Sequence, residues 1–211
     1  MSGARYAAPM DRHAWDERYR AKDLPWGVDP NDFLVAAAGD LTPGSALDLA
    51  CGQGRNAVWL AARGWRVTAV DWSEVGLSQG RQLAAAAGVS VDWKAADLLT
   101  WTPTGSFDLV IVVYLQIPGA ERREVWRGAA AAVAPGGRLV VIGHDADNLA
   151  EGYGGPQDPG ALYTASEAAG VIGEALLVER AEQVFRMVDT DEGVRRAVDN
   201  IVVAVAPGLR A

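Results

Sequence analysis

Cysteine is almost absent: Cys51 is the single thiol in 211 residues. That excludes an internal disulfide and any cysteine-rich metal site. Long apolar runs are missing too. The longest are strand-length, well short of the ~20 residues a membrane-spanning helix needs. Positive charge is scarce, with 19 Lys and Arg against 27 Asp and Glu for a net charge of −8. A nucleic-acid substrate would favour a basic face, so neither nucleic acid nor membrane is expected as a partner. The opening MSGARYAAPMDRH has no apolar core of the kind that marks a secretory signal, which predicts a soluble, cytoplasmic protein, monomeric or homodimeric. No internal repeat is visible. The alanine runs at 84–87 and 129–132 read as helix interiors of high propensity.

What is present is concentrated in one stretch, LDLACGQGRNAVWLAARGWRVTAVD, from Leu47 to Asp71. Ala46–Ala50 is a short apolar run, as expected for a parallel strand buried on both faces. Cys51-Gly52-Gln53-Gly54 turns the chain, and glycine lets a ligand approach the main chain closely. Asn56 to Arg63 reads as a helix with Gly64 at its C-terminal end. Val67–Val70 is a second strand, and Asp71 falls at its C-terminal edge, where a doubly wound sheet binds its ligands. A carboxylate there can accept hydrogen bonds from both hydroxyls of a ribose.

Two cofactors fit this unit. Gly52-x-Gly54-x-x-Ala57, with Asp71 close to the ~20-residue spacing, satisfies a loose dinucleotide fingerprint, and an NAD-dependent oxidoreductase stays open on that ground. Asp48 favours the other choice. An acid three residues before the turn would repel a pyrophosphate, but it suits a ligand with a zwitterionic amino-acid tail. D-x-A-C-G-x-G from Asp48 to Gly54 resembles motif I of the class I S-adenosylmethionine-dependent methyltransferases.

The rest of the chain continues that resemblance in order. Ser73 caps a helix running to about Ala87, ended by Gly88. Val89–Ala95 reads as the third strand and Phe107–Val113 as the fourth. A helix from about Ala120 to Val133 leads to Pro135-Gly136-Gly137 and a fifth strand, Arg138–Gly143. Thr164-x-x-Glu167 reads as a capping box. Leu176–Val188 and Val194–Val205 alternate about an Asp191-Glu192-Gly193 hairpin turn. Trp15-Asp16-Glu17-Arg18-Tyr19, Leu24-Pro25-Trp26-Gly27 and Gly143-His144-Asp145 resemble the small bacterial subgroup of tellurite-resistance and thiopurine methyltransferase-like proteins. The resemblance implies an α/β fold. Its doubly wound, mostly parallel seven-stranded sheet has the order 3-2-1-4-5-7-6, with strand 7 antiparallel. The expected single domain has a helical cover over 1–44, a cofactor core over 45–144, a lid over 145–163, and a helix and hairpin over 164–211.

The site follows from the same resemblance. S-adenosyl-L-methionine is the expected cofactor and S-adenosyl-L-homocysteine its product. Asp48, Ala50, Gly52, Gly54 and Asn56 belong to the turn and its helix, and Asp71 to the ribose. Trp72 stacks on the adenine, Asp97 meets its amino group, and the backbone N–H of Leu98 meets the ring. The N-terminal segment reads as a helix over Asp11–Ala21, broken by Pro25-Trp26-Gly27, then a second helix capped by Asp29 with Pro30 first. Tyr19 and Trp26 either meet the methionine end of the cofactor or pin these helices to the core. Arg18 can reach the cofactor carboxylate or pair with Asp11 or Glu17.

The acceptor is less specified. Asp145–Tyr163 is a loop of 19 residues, beyond the ~12–15 at which structureless connections become uncommon and are often lids. Tyr153 and Tyr163 are its candidate substrate contacts, with Tyr114 and Gln116 after the fourth strand. The run Tyr-Leu-Gln-Ile-Pro departs from the Asn-Pro-Pro-Tyr of many amino-group DNA and protein methyltransferases, which disfavours those substrates. His144 is a candidate general base with Asp145 to orient it, or it simply shapes the pocket. A sulfonium is already activated, and alignment alone can drive transfer. Cys51 and the other tryptophans read as packing residues. No metal site is expected. The combined reading is a methyltransferase acting on a small molecule (a thiol, a metalloid oxyanion, or an oxygen or nitrogen acceptor), with a non-catalytic S-adenosylmethionine-binding regulator as its alternative.

Overall fold

Alternation of strand and helix along most of the chain favours a parallel sheet with helices on both faces, and the computed structural model has that form. It describes residues 5–6 and 11–208; the other part of the expected N-terminal cover lies outside them. Strands β1 (Ser45–Leu49), β2 (Arg66–Asp71), β3 (Asp92–Ala95), β4 (Phe107–Val113), β5 (Val133–His144), β6 (Leu177–Thr190) and β7 (Gly193–Val205) make one sheet, ordered 3-2-1-4-5-7-6. β7 runs antiparallel between β5 and β6, and the other neighbouring pairs are parallel. The expected order and the reversed strand are both observed.

Alternate residues of the central strands feed two cores. Leu47, Leu49, Val110 and Val112 pack with Trp126 of α5 (Gly119–Ala131) and with Ala168 and Ile172 of α7 (Ala165–Ile172). Ala46, Leu109 and Ile111 pack on the opposite face. Their partners are Leu34 and Ala38 of α2 (Asp32–Ala38) and Ala57 and Leu60 of α3 (Arg55–Ala62). Because both faces are covered, these strands read as continuous apolar runs. The connections from β1 and β4 leave toward opposite faces, which opens a crevice at their C-terminal ends.

Several boundaries differ from the sequence expectation for identifiable reasons. β3 starts only at Asp92, because the chain leaves α4 (Glu74–Ala86) through Gly88 in a left-handed turn with φ 68°. β5 begins at Val133 rather than Arg138, because Phe107 pairs with Val133 before the register jumps to Leu109–Arg138. Pro135-Gly136-Gly137 is the bulge that absorbs the jump, with Gly136 at φ 77°. The second helix is capped by Asn31, whose side chain accepts from the Leu34 N–H, and not by Asp29. Pro30 therefore precedes the helix. The Thr164 hydroxyl does accept from the Glu167 N–H, but the Glu167 carboxylate turns to Arg123 at 3.1 Å, so the capping box is half formed.

The 145–163 segment is not structureless. It holds a short helix α6 (Asn148–Glu151) and a 3-10 turn, Pro159–Ala161. Gly155–Pro156 pairs in parallel with Arg5–Tyr6. Arg122 of α5, fully buried, fastens the segment: its guanidinium donates to the carbonyls of Ile117, Gly160 and Leu162 at 2.9, 3.1 and 3.1 Å. Among the described residues no helix is long and apolar enough to cross a membrane.

Candidate active site

The turn after β1 is held by its own backbone geometry. Ala50, Gly52 and Gly54 take φ of 60°, 57° and 73°, three left-handed residues within five. Ala50 carries a side chain in that region, a conformation that persists only where its surroundings enforce it. The enforcement comes from β2: the Cys51 N–H donates to the Val70 carbonyl at 3.0 Å. One Asp71 oxygen accepts from the Gly52 N–H at 2.8 Å and the other from the Ser73 N–H at 2.9 Å. Asp71 thus sits at the end of β2 with both oxygens fixed, each keeping lone-pair capacity for a further donor. Burial pushes its carboxyl up to about 6, against the opposing pull of those N–H groups.

These residues line a cavity of about 460 Å³, within the ~300–1,000 Å³ usual for small-molecule sites. Ala50, Gly52, Asn56, Asp71, Trp72, Asp97 and Leu98 form one end, with Tyr19 and Trp26 of the N-terminal cover closing over them. That cover is clamped to the turn. The Gln53 side chain donates to the Gly27 carbonyl and accepts from the Trp26 N–H at 3.2 Å. Gln79 donates to the Tyr19 carbonyl at 2.8 Å, and Ser73 donates to Asp16. Arg55 Nη1 reaches the carbonyls of Trp26 and Asp29 at 3.3 and 3.2 Å. Arg18 lies over the Trp26 ring, 4.8 Å from its centroid, and over Trp15 at 5.7 Å.

Two members of the expected cofactor set do not form the cavity wall. Gly54 is backed by Trp93, and an added Cβ would overlap that ring. Its glycine serves the turn and this close packing. Asp48 is buried at 1% exposure, and one of its oxygens has no hydrogen-bond partner among the described residues. Burial, then the nearby Asp71 charge, push its carboxyl up to about 8.

The other end of the cavity is built where β4, β5 and the hairpin converge. Tyr114 ends β4 in a left-handed conformation, φ 59°, and its hydroxyl donates to Asp199 Oδ2 at 2.7 Å. Asp199 Oδ1 lies 2.9 Å from His144 Nδ1, a pair that follows from register because His144 of β5 faces Asp199 of β7. Arg186 Nε donates to Asp199 Oδ2 at 2.9 Å and to the Tyr114 oxygen at 3.2 Å. Burial alone would raise the Asp199 carboxyl. The hydrogen bond and charge of His144, with Arg186 and Tyr114, outweigh it and hold the group below its ordinary value. An ionised Asp199 accepts a hydrogen bond from the Nδ1–H of His144, so in the neutral imidazole the lone pair sits on Nε2. His144, Tyr114, Gln116, Tyr153 and Arg186 all line the cavity.

Asp145 does not orient His144. Its Oδ1 accepts from the Asp147 N–H and from Gln183 Nε2, each at 3.1 Å, and the residue is buried outside the cavity wall. The strand pleat points it to the opposite face from its neighbour, and Asp199 occupies the expected role. Tyr163 is no substrate contact either. It is buried at 3% exposure, edge-on to Trp126 at 4.8 Å and under Arg122 at 4.7 Å. Arg55, Arg186, Asp199 and Gln53 were missed from sequence. The available signal was Asp199-Asn200 itself, two polar residues inside the otherwise apolar Ala197–Val203 run. Among the described residues no group of three or more His, Cys, Asp or Glu side chains is placed to hold a metal.

The cavity fits S-adenosylmethionine. Asp71 offers ribose acceptors, Trp72 and Leu98 offer apolar surface for the adenine, and Gly52, where a Cβ would overlap the Tyr19 hydroxyl, lets the cover pack onto the turn. Residues 46–137 match the family described as a methyltransferase domain. A trans-aconitate 2-methyltransferase of Streptomyces avermitilis is 32% identical over 137 residues, covering 60% of this chain and 49% of that protein. The chain spans about half or less of the curated relatives it matches. The N-methyltransferase NodS of Bradyrhizobium japonicum, solved with S-adenosylhomocysteine, superposes with a TM-score of 0.71 at 22% identity, covering 94% of this chain and 100% of that one. A structure solved for the conversion of a disulfide bond into a thioacetal group during echinomycin biosynthesis gives 0.77 at 23%, covering 95% and 93%. Turn, cavity and strand order agree with the family match: residues 46–137 of this chain are similar to a methyltransferase domain, and the chain shares the fold of the structures it superposes on.

Proposed function

We propose that the protein transfers a methyl group from S-adenosylmethionine to a small molecule. The observation that carries this reading is the shared cavity. The Asp71 carboxylate and the His144 ring of the His144–Asp199 pair both face it. When bound, the cofactor supplies a methyl group on a sulfonium, already activated for displacement. Asp71 accepts from its ribose hydroxyls. Trp72 and Leu98 flank its adenine, with Asp97 at the amino group. Tyr19 and Trp26 cover the methionine end and exclude water, and Arg55, beside Trp26, is the cation for the amino-acid carboxylate. Asp48 acts on the cofactor only through the turn it supports.

At the acceptor end Asp199 holds His144 so that Nε2 takes the proton of an acceptor O–H, S–H or N–H as methyl transfer proceeds. Tyr114 fixes the imidazole from one side, with ring centroids 4.7 Å apart. Tyr153 and Gln116 line the acceptor's space. The subgroup resemblance in residues 15–19 and 24–27, outside the matched domain, favours thiol and metalloid-oxyanion acceptors; the trans-aconitate relative favours oxygen. Formation of S-adenosylhomocysteine from S-adenosylmethionine over a panel of thiols, phenols, carboxylic acids and amines tests the proposal. One acceptor class is expected to give turnover that His144→Ala lowers about 10²–10⁴-fold, the usual share of a general acid–base residue. Binding of S-adenosylhomocysteine with no turnover over the whole panel would favour a regulator that only senses the cofactor.

A further inference from the structure

We propose that Arg186 is the recognition site for a carboxylate carried by the methyl acceptor, so that the substrates are organic acids. This rests on the methyltransferase reading of the same cavity.

Arg186 belongs to the part of the β6–β7 hairpin that runs past the end of β5. The last β5–β7 partners are His144 and Asp199, whereas β6 and β7 remain paired to Thr190 and Gly193. This arm, braced by α6 through Asn148 and Glu151, forms a side wall of the cavity, and Arg186, Met187, Val188 and Asp189 all line it. Arg186 Nε is committed to Asp199 and the Tyr114 hydroxyl. Those two bonds fix the plane of the guanidinium. Nη1 and Nη2 make no hydrogen bond to any of the described residues, and a third of the side chain stays exposed. The result is a rigid, always-charged fork of N–H donors at the mouth of a mostly enclosed site. Its geometry matches two oxygens in one plane, which is the recognition a carboxylate provides and a neutral hydroxyl or amine does not.

The neighbours narrow the ligand further. The Asp199 charge does not compete for an incoming acid, because it is shared among His144, Tyr114 and Arg186. Met187 and Val188 set apolar surface beside the fork. An acid with an apolar or unsaturated body therefore fits better than a small inorganic anion. With its acid on Arg186, the ligand presents its remaining groups toward His144, which shares Asp199 with the arginine. Specificity is strong in such a site because accepting the neutral analogue would leave charged donors unsatisfied. A carboxylate also occurs on the cofactor's own amino-acid tail. Arg55, whose guanidinium holds the carbonyls of Trp26 and Asp29, is the cation assigned to that tail; it lies close enough to Tyr114 and Arg186 to feel their charges, so the two cations divide one stretch of the cavity, with Arg186 taking the acceptor.

The test is calorimetric titration of the full chain saturated with S-adenosylhomocysteine. The probes are benzoate, 4-hydroxybenzoate, 3,4-dihydroxybenzoate and trans-aconitate, each beside its neutral amide or ester. At least one acid is expected to bind about tenfold or more tightly than its neutral counterpart. Arg186→Gln is expected to erase that preference while S-adenosylhomocysteine affinity changes less than about twofold; Arg186→Lys retains part of it. The variants' response to S-adenosylhomocysteine also reports that they fold. Equal binding of acids and neutral counterparts, or of neither, overturns the proposal, as does a preference that survives Arg186→Gln. If Arg186→Gln weakens S-adenosylhomocysteine but not 5′-methylthioadenosine, which lacks the amino-acid tail, the fork serves the cofactor and the proposal fails. If the wild-type protein itself binds no S-adenosylhomocysteine, it is the underlying methyltransferase reading that fails.

Discussion

Two buried carboxylates on neighbouring strands behave differently, and residue chemistry separates them. Asp71 faces the cavity, is held by two backbone N–H groups and is pushed to about 6. At neutral pH it is ionised and able to accept from a ribose. S-adenosylhomocysteine affinity is therefore predicted to fall as pH drops through about 6, followed by titration calorimetry from pH 5 to 8. Asp71→Ala removes charged hydrogen bonds of ~1.5–3 kcal/mol each and should weaken binding about 100-fold. Asp71→Asn, which keeps the shape, should lose less. Asp48, pushed to about 8, keeps its proton in the folded state while the unfolded chain releases it near the ordinary value of 3.8. Its stabilising contribution is thus complete below about pH 3.8 and is lost progressively up to about 8. Asp48→Asn is neutral throughout. It should flatten the fall in apo melting temperature between pH 6 and 8 and make the variant the more stable protein at pH 9. A wild-type melting temperature that rises over that interval contradicts the assignment of a neutral Asp48.

At the scale of elements, α5 and the 145–163 segment are coupled through Arg122. Replacing it by Ala leaves the carbonyls of Ile117, Gly160 and Leu162 without their buried donor. Bonds to a charged group are worth ~1.5–3 kcal/mol each, so Arg122→Ala should cost at least ~3 kcal/mol. That is a drop of about 6–12 °C for a domain of this size, with new proteolytic cleavage between Gly152 and Leu162 checked by mass spectrometry. Elements were also what the sequence revealed best. Strand, turn and helix from Ala46 to Asp71 were legible because buried parallel strands, glycine turns and helix ends each leave a local signature. The order of the sheet came from the family resemblance. The 145–163 segment reads as a plain loop in the sequence because its order is not local. Arg122 and Tyr163, distant in sequence from most of what they hold, replace the periodic pattern that would have marked it. Asp199 escaped notice for the same reason. Its meaning depends on the β5–β7 register that sets it opposite His144, and the neighbouring Asp145 offered a plausible but wrong partner.

The whole molecule joins these parts in a single cavity that the N-terminal cover, the sheet edge and the hairpin arm enclose together. Gln53, at 1% exposure, clamps the cover onto the cofactor turn. Gln53 also lines the cavity, and Gln53→Ala, which removes the clamp, should raise the S-adenosylhomocysteine dissociation constant several-fold. A ligand at 100 times its dissociation constant stabilises the native state by ~2.7 kcal/mol, or about 5–10 °C here. The decisive measurement is the melting temperature of the wild-type chain and of Asp71→Ala with saturating S-adenosylhomocysteine, beside NADH as the competing nucleotide. A rise of about 5–10 °C with S-adenosylhomocysteine alone, lost in Asp71→Ala, is the predicted result. No rise in the wild type, or an equal rise with NADH, would contradict a class I methyltransferase site in this cavity.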